Sequence, residues 1–106
     1  MIARERARTV ARDGHCRLAD TPGFGPCHIA SEWAHLEGKR RYKTRGLPPE
    51  QRHSTAWSAM LCKWHHDAYD AHDIECEAVT SRGANGPLRW SRETGGVTVS
   101  YLEARE

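Results

Sequence analysis

The pattern of hydrophobic and polar positions predicts short elements separated by turns. Residues 2–12 contain no glycine or proline and are rich in alanine and arginine, which predicts a helix that ends near Gly14. The stretches IASEWAHL (29–36) and WSAML (57–61) predict two short strands, and KWHHDAYDA (63–71) predicts a short helix. IECEAV, GPLRWS and VTVSYL predict three further strands, with turns at residues 83–86 and 95–96.

Two loops interrupt this pattern of elements. Residues 14–28 carry three glycines and two prolines, and the loop has Cys16 near its start and Cys27 near its end. Residues 37–54 form a long basic loop, and such length in a small domain indicates a functional loop. The 106 residues predict a single α+β domain, 1–106, made of an N-terminal helix (1–13), a core (14–71) and C-terminal strands (72–106).

The composition favours a metal-stabilised protein of the cytoplasm. Only 38% of the residues are hydrophobic, so the core is small and a metal or disulfide would help it to fold. The N-terminus has no apolar run typical of a signal peptide, and no stretch is long enough to span a membrane. In a cytoplasmic protein, 4 cysteines and 7 histidines indicate metal binding, with two disulfides as the alternative.

Charge is distributed unevenly, although the net charge is only +2. Residues 37–52 hold six Lys or Arg against two Glu, whereas residues 67–80 hold five acidic residues and no Lys or Arg. The basic segment favours a nucleic-acid partner, and a solvated surface is the alternative.

Four residues form a candidate zinc site. Cys62 and His65 have C-x-x-H spacing, which lets two ligands straddle a tight turn. Cys16 and Cys27 could complete a closed Cys₃His site, which would join the N-terminal loop to the start of the helix. Cys76 lies in an alternating strand and is expected to be buried as a small hydrophobic residue.

A second group of residues has other chemistry. His66 and Asp70 are four positions apart, so on a helix they share a face that points away from His65. An imidazole beside a carboxylate can bind a divalent metal, and a hydrogen bond on the helix surface is the alternative. His35 ends the first strand, and it gains importance if that strand lies across the helix that carries His66.

In order and spacing, EWAHLE and AMLCKWHHDAYD, preceded by Cys16 and Cys27, resemble the HNH family of metal-dependent endonucleases. The resemblance covers about residues 14–90 and implies a ββα-metal (His-Me finger) fold with a structural zinc ion. It implies that His35 is the general base and that His66 and Asp70 bind a catalytic divalent ion, which would be Mg²⁺, Mn²⁺, Ni²⁺ or Zn²⁺. It also implies DNA as the partner, contacted by the basic residues Lys39, Arg40, Arg41, Lys43 and Arg45.

The chain departs from the family pattern at two positions. Ala34 stands where many members have an acidic residue or His, and Trp57 stands where the family has its middle Asn. His53, Glu32 and Asp70 are the candidates to compensate.

The resemblance implies a DNA endonuclease or nickase of the kind found in phages, prophages and mobile elements, directed by a targeting protein or acting as a homodimer. One alternative is a non-catalytic, zinc-stabilised nucleic-acid-binding module. Another is a zinc-stapled protein-interaction domain that uses the acidic segment 67–80.

Overall fold

The computed structural model describes residues 2–27, 31–36 and 55–104. Over these residues the chain forms two α-helices and two antiparallel sheets, which confirms the predicted α+β class. The elements are α1 (Ile2–Asp13), β1 (Ser31–His35), β2 (Ser58–Cys62), α2 (Lys63–Asp70), β3 (Ile74–Ala78), β4 (Leu88–Thr94) and β5 (Val97–Leu102). Neither helix in the described part of the chain is long and apolar enough to cross a membrane.

The first sheet pairs β1 with β2 and leads directly into α2. The two strands are antiparallel, with Glu32 opposite Leu61 and His35 opposite Ser58. All five residues of β2 are buried. Cys62 ends the strand in an extended conformation and caps the helix, because its Sγ accepts a hydrogen bond from the backbone N–H of His65. Cys62 and His65 are therefore held together within one turn.

The free edge of β2 is covered by the chain that follows α1 and not by a third strand. Asp13 Oδ2 accepts the backbone N–H of Met60 at 2.9 Å, and the backbone N–H of Arg17 donates to the Met60 carbonyl at 2.9 Å. These bonds satisfy backbone groups that an edge strand would otherwise leave open. They also place Cys16, which precedes Arg17, beside the strand that ends at Cys62.

The second sheet has the order β3-β4-β5 and completes the core. Gly95 and Gly96 join β4 to β5 with φ of 57° and 80°, the two positive values that a type I′ hairpin turn requires. The Tyr69 ring of α2 meets the Trp90 ring of β4 edge to face, at 6.4 Å between centroids. Cys76, which the sequence predicted to be buried, is half-buried because β3 is an edge strand, although it packs against the core.

A buried ion pair joins the two sheets. Arg17 and Glu103 form a two-bond guanidinium–carboxylate pair, and both residues are no more than 8% exposed. Glu103 also accepts the indole N–H of Trp90 and the backbone N–H of Leu88, while Arg17 donates to the Ala84 carbonyl. A buried charge pair is tolerated only when its remaining hydrogen-bonding groups are satisfied, as they are here. The segment that carries Cys16 is thus bound to β2 through the backbone of Arg17 and to the second sheet through the side chain of Arg17.

Candidate metal centre and outer helix face

Cys16, Cys27, Cys62 and His65 converge at one point, as the sequence predicted. Their ligand atoms all lie within 4.8 Å of one another, so the group could hold a metal ion. His65 Nδ1 lies 3.1 Å from Cys62 Sγ, 3.4 Å from Cys16 Sγ and 3.6 Å from Cys27 Sγ. Ligands about 2.3 Å (sulfur) and 2.0–2.1 Å (nitrogen) from a tetrahedral ion stand roughly 3.5 Å apart, so these separations fit four-coordinate binding.

Three elements bring these ligands together. Cys62 and His65 come from the junction of β2 and α2, and Cys16 comes from the segment bound to the edge of β2. Cys27 ends the loop that Cys16 begins, and it is the most exposed of the four. No disulfide forms among the four cysteines of the chain, all of which the structure describes as free thiols. The convergence of three of them with His65 favours the metal site over the disulfide alternative.

The ring of His65 is oriented by its second nitrogen. His65 Nε2 lies 2.7 Å from the carbonyl oxygen of Phe24, and since a carbonyl only accepts, Nε2 carries the proton. Nδ1 is then left as a lone pair directed at the three sulfur atoms. Metal-binding histidines in proteins commonly have their other N–H fixed in this way. The Cys16–Cys27 loop thus supplies two sulfur ligands and also the carbonyl that selects the tautomer.

The thiols are poor acids in the absence of a cation. Burial raises the pKa of the Cys16 thiol, and burial together with the neighbouring Cys16 and Cys62 groups raises the pKa of Cys27 to about 12. A bound cation reverses this preference, because it stabilises the thiolate directly. Binding of a cation here would therefore release protons from these thiols.

The outer face of α2 carries a different group. His66 Nδ1 lies 2.9 Å from Glu32 Oε1 of β1, and His66 Nε2 lies 3.5 Å from Asp70 Oδ2 one helical turn later. The side chains of His66, Glu32 and Asp70 are 22%, 44% and 63% exposed. Strand β1 contacts the helix that carries His66, and it does so through Glu32.

His35 occupies the end of the same strand. Its ring contacts that of Trp33 at a tilt of 49°, with the centroids 4.7 Å apart. Alternation along β1 places both rings on the face opposite Glu32 and Ala34, so His35 and the contact between Glu32 and His66 lie on opposite faces of the strand. The next residue, Leu36, donates its backbone N–H to the Trp57 carbonyl at 2.8 Å. Position 57, where the HNH pattern has Asn, therefore lies beside the end of β1, but an indole cannot provide the hydrogen bonds of an amide.

Comparison with known proteins gives no identification. No protein-family model, curated protein or solved structure matches this chain. Its function is therefore inferred from its own residues.

Some residues named from the sequence lie outside the described part of the chain, whereas Glu32 is described and has a specific contact. The basic residues Lys39, Arg40, Arg41, Lys43 and Arg45 and the candidate His53 lie outside the described residues. Glu32 appeared in the sequence only as one of three substitutes for a missing group, and the structure puts it in contact with His66. The only signal that could have found it was strand alternation, which puts Glu32 and Ala34 on one face.

Proposed function

We propose that this chain is a metal-dependent DNA endonuclease or nickase with a ββα-metal core and a structural zinc ion. The observation that carries the proposal is the arrangement of two consecutive histidines on α2. His65 turns into the Cys₃His group, while His66 lies on the outer face with Asp70 and contacts Glu32 of the strand that ends in His35. This order of strand, strand and helix is the one that the HNH resemblance implies.

The Cys₃His group suits a structural zinc ion. Three thiolates and one imidazole form a closed tetrahedral set, with no open position for a substrate. Two of the sulfur ligands and His65 are almost fully buried, at 2%, 1% and 0% exposure for Cys16, Cys62 and His65. The ion would hold the N-terminal loop against the start of α2 and contribute directly to folding.

The open group suits hydrolysis of a phosphodiester bond. His35, at the end of β1, would take a proton from the attacking water once its ring leaves Trp33 and turns towards the His66 side of the strand. His66 and Asp70 would hold a divalent ion, since their nearest ligand atoms are 3.5 Å apart. When bound, such an ion stabilises negative charge on the phosphate and on the leaving oxygen.

DNA is the proposed substrate because of the basic residues around this unit. Arg4, Arg6 and Arg8 occupy exposed positions on α1. The same helix is fixed to the start of β2 by a 2.9 Å hydrogen bond between the hydroxyls of Thr9 and Ser58, and Ser58 is the residue that pairs with His35. Together with the basic residues of segment 37–52, these arginines would give phosphate contacts that do not depend on sequence.

A non-catalytic, zinc-stabilised module that binds nucleic acid is the second candidate. The observation that favours it is the pair of substitutions at the site, Ala34 and Trp57. Such a module would need the Cys₃His group but neither His35 nor His66.

Cleavage of supercoiled plasmid separates these two candidates. Zinc-loaded protein should nick plasmid when Mg²⁺, Mn²⁺ or Ni²⁺ is added and stop when EDTA removes the added ion. His35→Ala should slow cleavage by a factor on the order of 10² to 10⁴, the usual contribution of a positioned base, with unchanged zinc content and DNA affinity. His72→Ala is a matched control, because His72 is an exposed histidine paired with Glu75 away from this site. If the parent never cuts, or if His35→Ala cuts as fast as the parent, the binding module replaces the nuclease.

A further inference from the structure

The two ring nitrogens of His66 face two different carboxylates. Nδ1 is 2.9 Å from Glu32 Oε1, a hydrogen-bond distance, and Nε2 is 3.5 Å from Asp70 Oδ2. A carboxylate can only accept a hydrogen bond when ionised, so the bond to Glu32 requires a proton on Nδ1. In a neutral imidazole, that leaves Nε2 without a proton.

The lone pair of Nε2 then points towards another electron-rich atom. A lone pair and a carboxylate oxygen repel each other unless a cation lies between them. Two ligands about 2.1 Å from one ion stand about 3.4 Å apart around a tetrahedral ion and about 3.0 Å apart around an octahedral one, so the observed 3.5 Å between Nε2 and Asp70 Oδ2 needs only a small closing movement to share an ion. The spacing on the Asp70 side therefore suits a shared cation, whereas the spacing on the Glu32 side suits a direct hydrogen bond.

We propose that Glu32 is the positioning residue of the His66–Asp70 site, an inference that rests on the proposed divalent-ion site of the nuclease. Glu32 fixes the proton on Nδ1 and thereby directs the lone pair of Nε2 at the ion-binding position. Glu32 would act through His66 and would not bind the ion itself. This role differs from that of a metal ligand that replaces the acidic residue missing at Ala34. Carboxylates that hold metal-binding histidines in this way typically contribute 10–100-fold to metal affinity.

The strand pairing gives Glu32 a fixed position for this role. Glu32 lies opposite Leu61 in the β1–β2 ladder, and Leu61 is fully buried directly before Cys62. The backbone of Glu32 is therefore held in a strand whose partner leads directly into the Cys₃His group. Glu32 contacts α2 at His66, the residue that follows His65. The two consecutive histidines would thus be held in opposite tautomers, with the ring proton on Nε2 in His65 and on Nδ1 in His66.

Nitrogen NMR of the imidazole rings tests the tautomer directly. The probe is zinc-loaded, ¹⁵N-labelled protein without a second metal, at about pH 8, where an ordinary imidazole is neutral. We expect the ring proton of His66 on Nδ1 and that of His65 on Nε2. In Glu32→Ala the proton of His66 should move to Nε2, because Asp70 is then the nearest carboxylate. A parent ring protonated on Nε2, or on both nitrogens, overturns the proposal.

The consequence for metal affinity is tested by titrating the zinc-loaded protein with Mn²⁺ and measuring the unbound Mn²⁺ from its paramagnetic resonance spectrum. Glu32→Ala should weaken Mn²⁺ binding by 10–100-fold. Glu32→Gln should retain part of the affinity, since the amide oxygen can accept the same bond. Glu77→Ala is the control, because Glu77 is an exposed carboxylate paired with Arg89 on the second sheet. Unchanged affinity in Glu32→Ala, or no binding to the parent, overturns the inference.

The outcomes separate this inference from the proposed function. If the tautomer and the Mn²⁺ responses are as expected but plasmid is never cut, Glu32 positions an ion site in a protein that is not a nuclease. If plasmid is cut in a His35-dependent way but the tautomer is wrong, the nuclease proposal stands and the role of Glu32 is rejected.

Discussion

His65 and His66 are consecutive residues of α2 with opposite surroundings. His65 is 0% exposed and has three sulfur atoms within 3.6 Å of its Nδ1. The side chain of His66 is 22% exposed and lies between two carboxylates on the surface. Consecutive residues of a helix are about 100° apart, so one short helix can present one histidine to the interior and the next to solvent. A closed ligand set stabilises the fold, whereas an open one leaves room for water or substrate.

Removal of the closed group should have the largest effect. Cys62→Ser replaces a sulfur ligand by a weaker hydroxyl, while the serine hydroxyl can still cap α2 by accepting the His65 N–H, so the loss reports on the metal group. Structural zinc sites in small domains contribute on the order of 10 kcal/mol to folding. The variant should be largely unfolded by circular dichroism, and metal analysis of the parent should find about one zinc per chain. A metal-free, reduced parent that remains folded would contradict a structural role for this group.

Loss of the buried carboxylate behind the closed group should have the next largest effect. Glu103→Ala removes the closer carboxylate partner of the buried Arg17, which keeps only Asp13 at 3.7 Å, and leaves the Trp90 indole N–H without the Glu103 acceptor. Removal of one partner of a buried ion pair typically costs about 3–5 kcal/mol, and denaturant unfolding measures that cost. Since Arg17 follows Cys16, the variant should also lose zinc to a chelator faster than the parent.

Arg89→Ala is the control for that experiment. Arg89 pairs with Glu77 on the surface of the second sheet, and exposed ion pairs contribute little to stability. If Glu103→Ala and Arg89→Ala unfold at the same denaturant concentration, the buried pair does not secure the Cys16 segment.

Local signals predicted the elements and the closed group. A run without glycine or proline gave α1, Gly95 and Gly96 gave the hairpin turn, and ligand spacing gave Cys62 and His65. Cys16 and Cys27 were predicted from their chemistry, since clustered Cys and His in a chain expected to be cytoplasmic favour a shared metal. The class of fold follows from the same signals. The ββα-metal assignment and the nuclease activity stay predictions.

Long-range polar contacts could not be predicted in the same way. Glu32 and His66 are 34 positions apart, and Arg17 and Glu103 are 86 positions apart. Each contact depends on strand register and on the path of the chain around the core, and these are set by packing of the whole domain. The Phe24 carbonyl that orients His65 is a backbone group, so no side-chain pattern marks it.

A strained substitution in the Cys16–Cys27 loop should have a smaller effect. Gly25 has φ of +80°, and a Cβ at this position would lie 3.0 Å from Trp64 Cη2. Gly25→Ala should destabilise the protein by about 1–2 kcal/mol, the usual cost of a left-handed conformation for a residue with a Cβ, plus the contact with Trp64. Gly14→Ala is the matched control, since Gly14 has φ of +72° and nothing within 4 Å of its Cβ position. Equal losses in thermal unfolding for the two variants would show that Trp64 does not press on the loop.

Substitution of the outer histidine should have the smallest effect on stability and gives the sharpest contrast. His66→Ala removes a half-buried ring whose partners are exposed carboxylates, so its free energy of unfolding should change by no more than about 0.5 kcal/mol. The same change at His65 removes a zinc ligand and should unfold the protein as Cys62→Ser does. Cleavage should be lost in His66→Ala and should partly recover at high Mn²⁺, because the variant retains Asp70 as a ligand. Thermal unfolding and plasmid cleavage measured on the two variants side by side test both faces of α2. If His66→Ala unfolds like His65→Ala, the outer face is part of the folding core and the separation of the two sites is wrong.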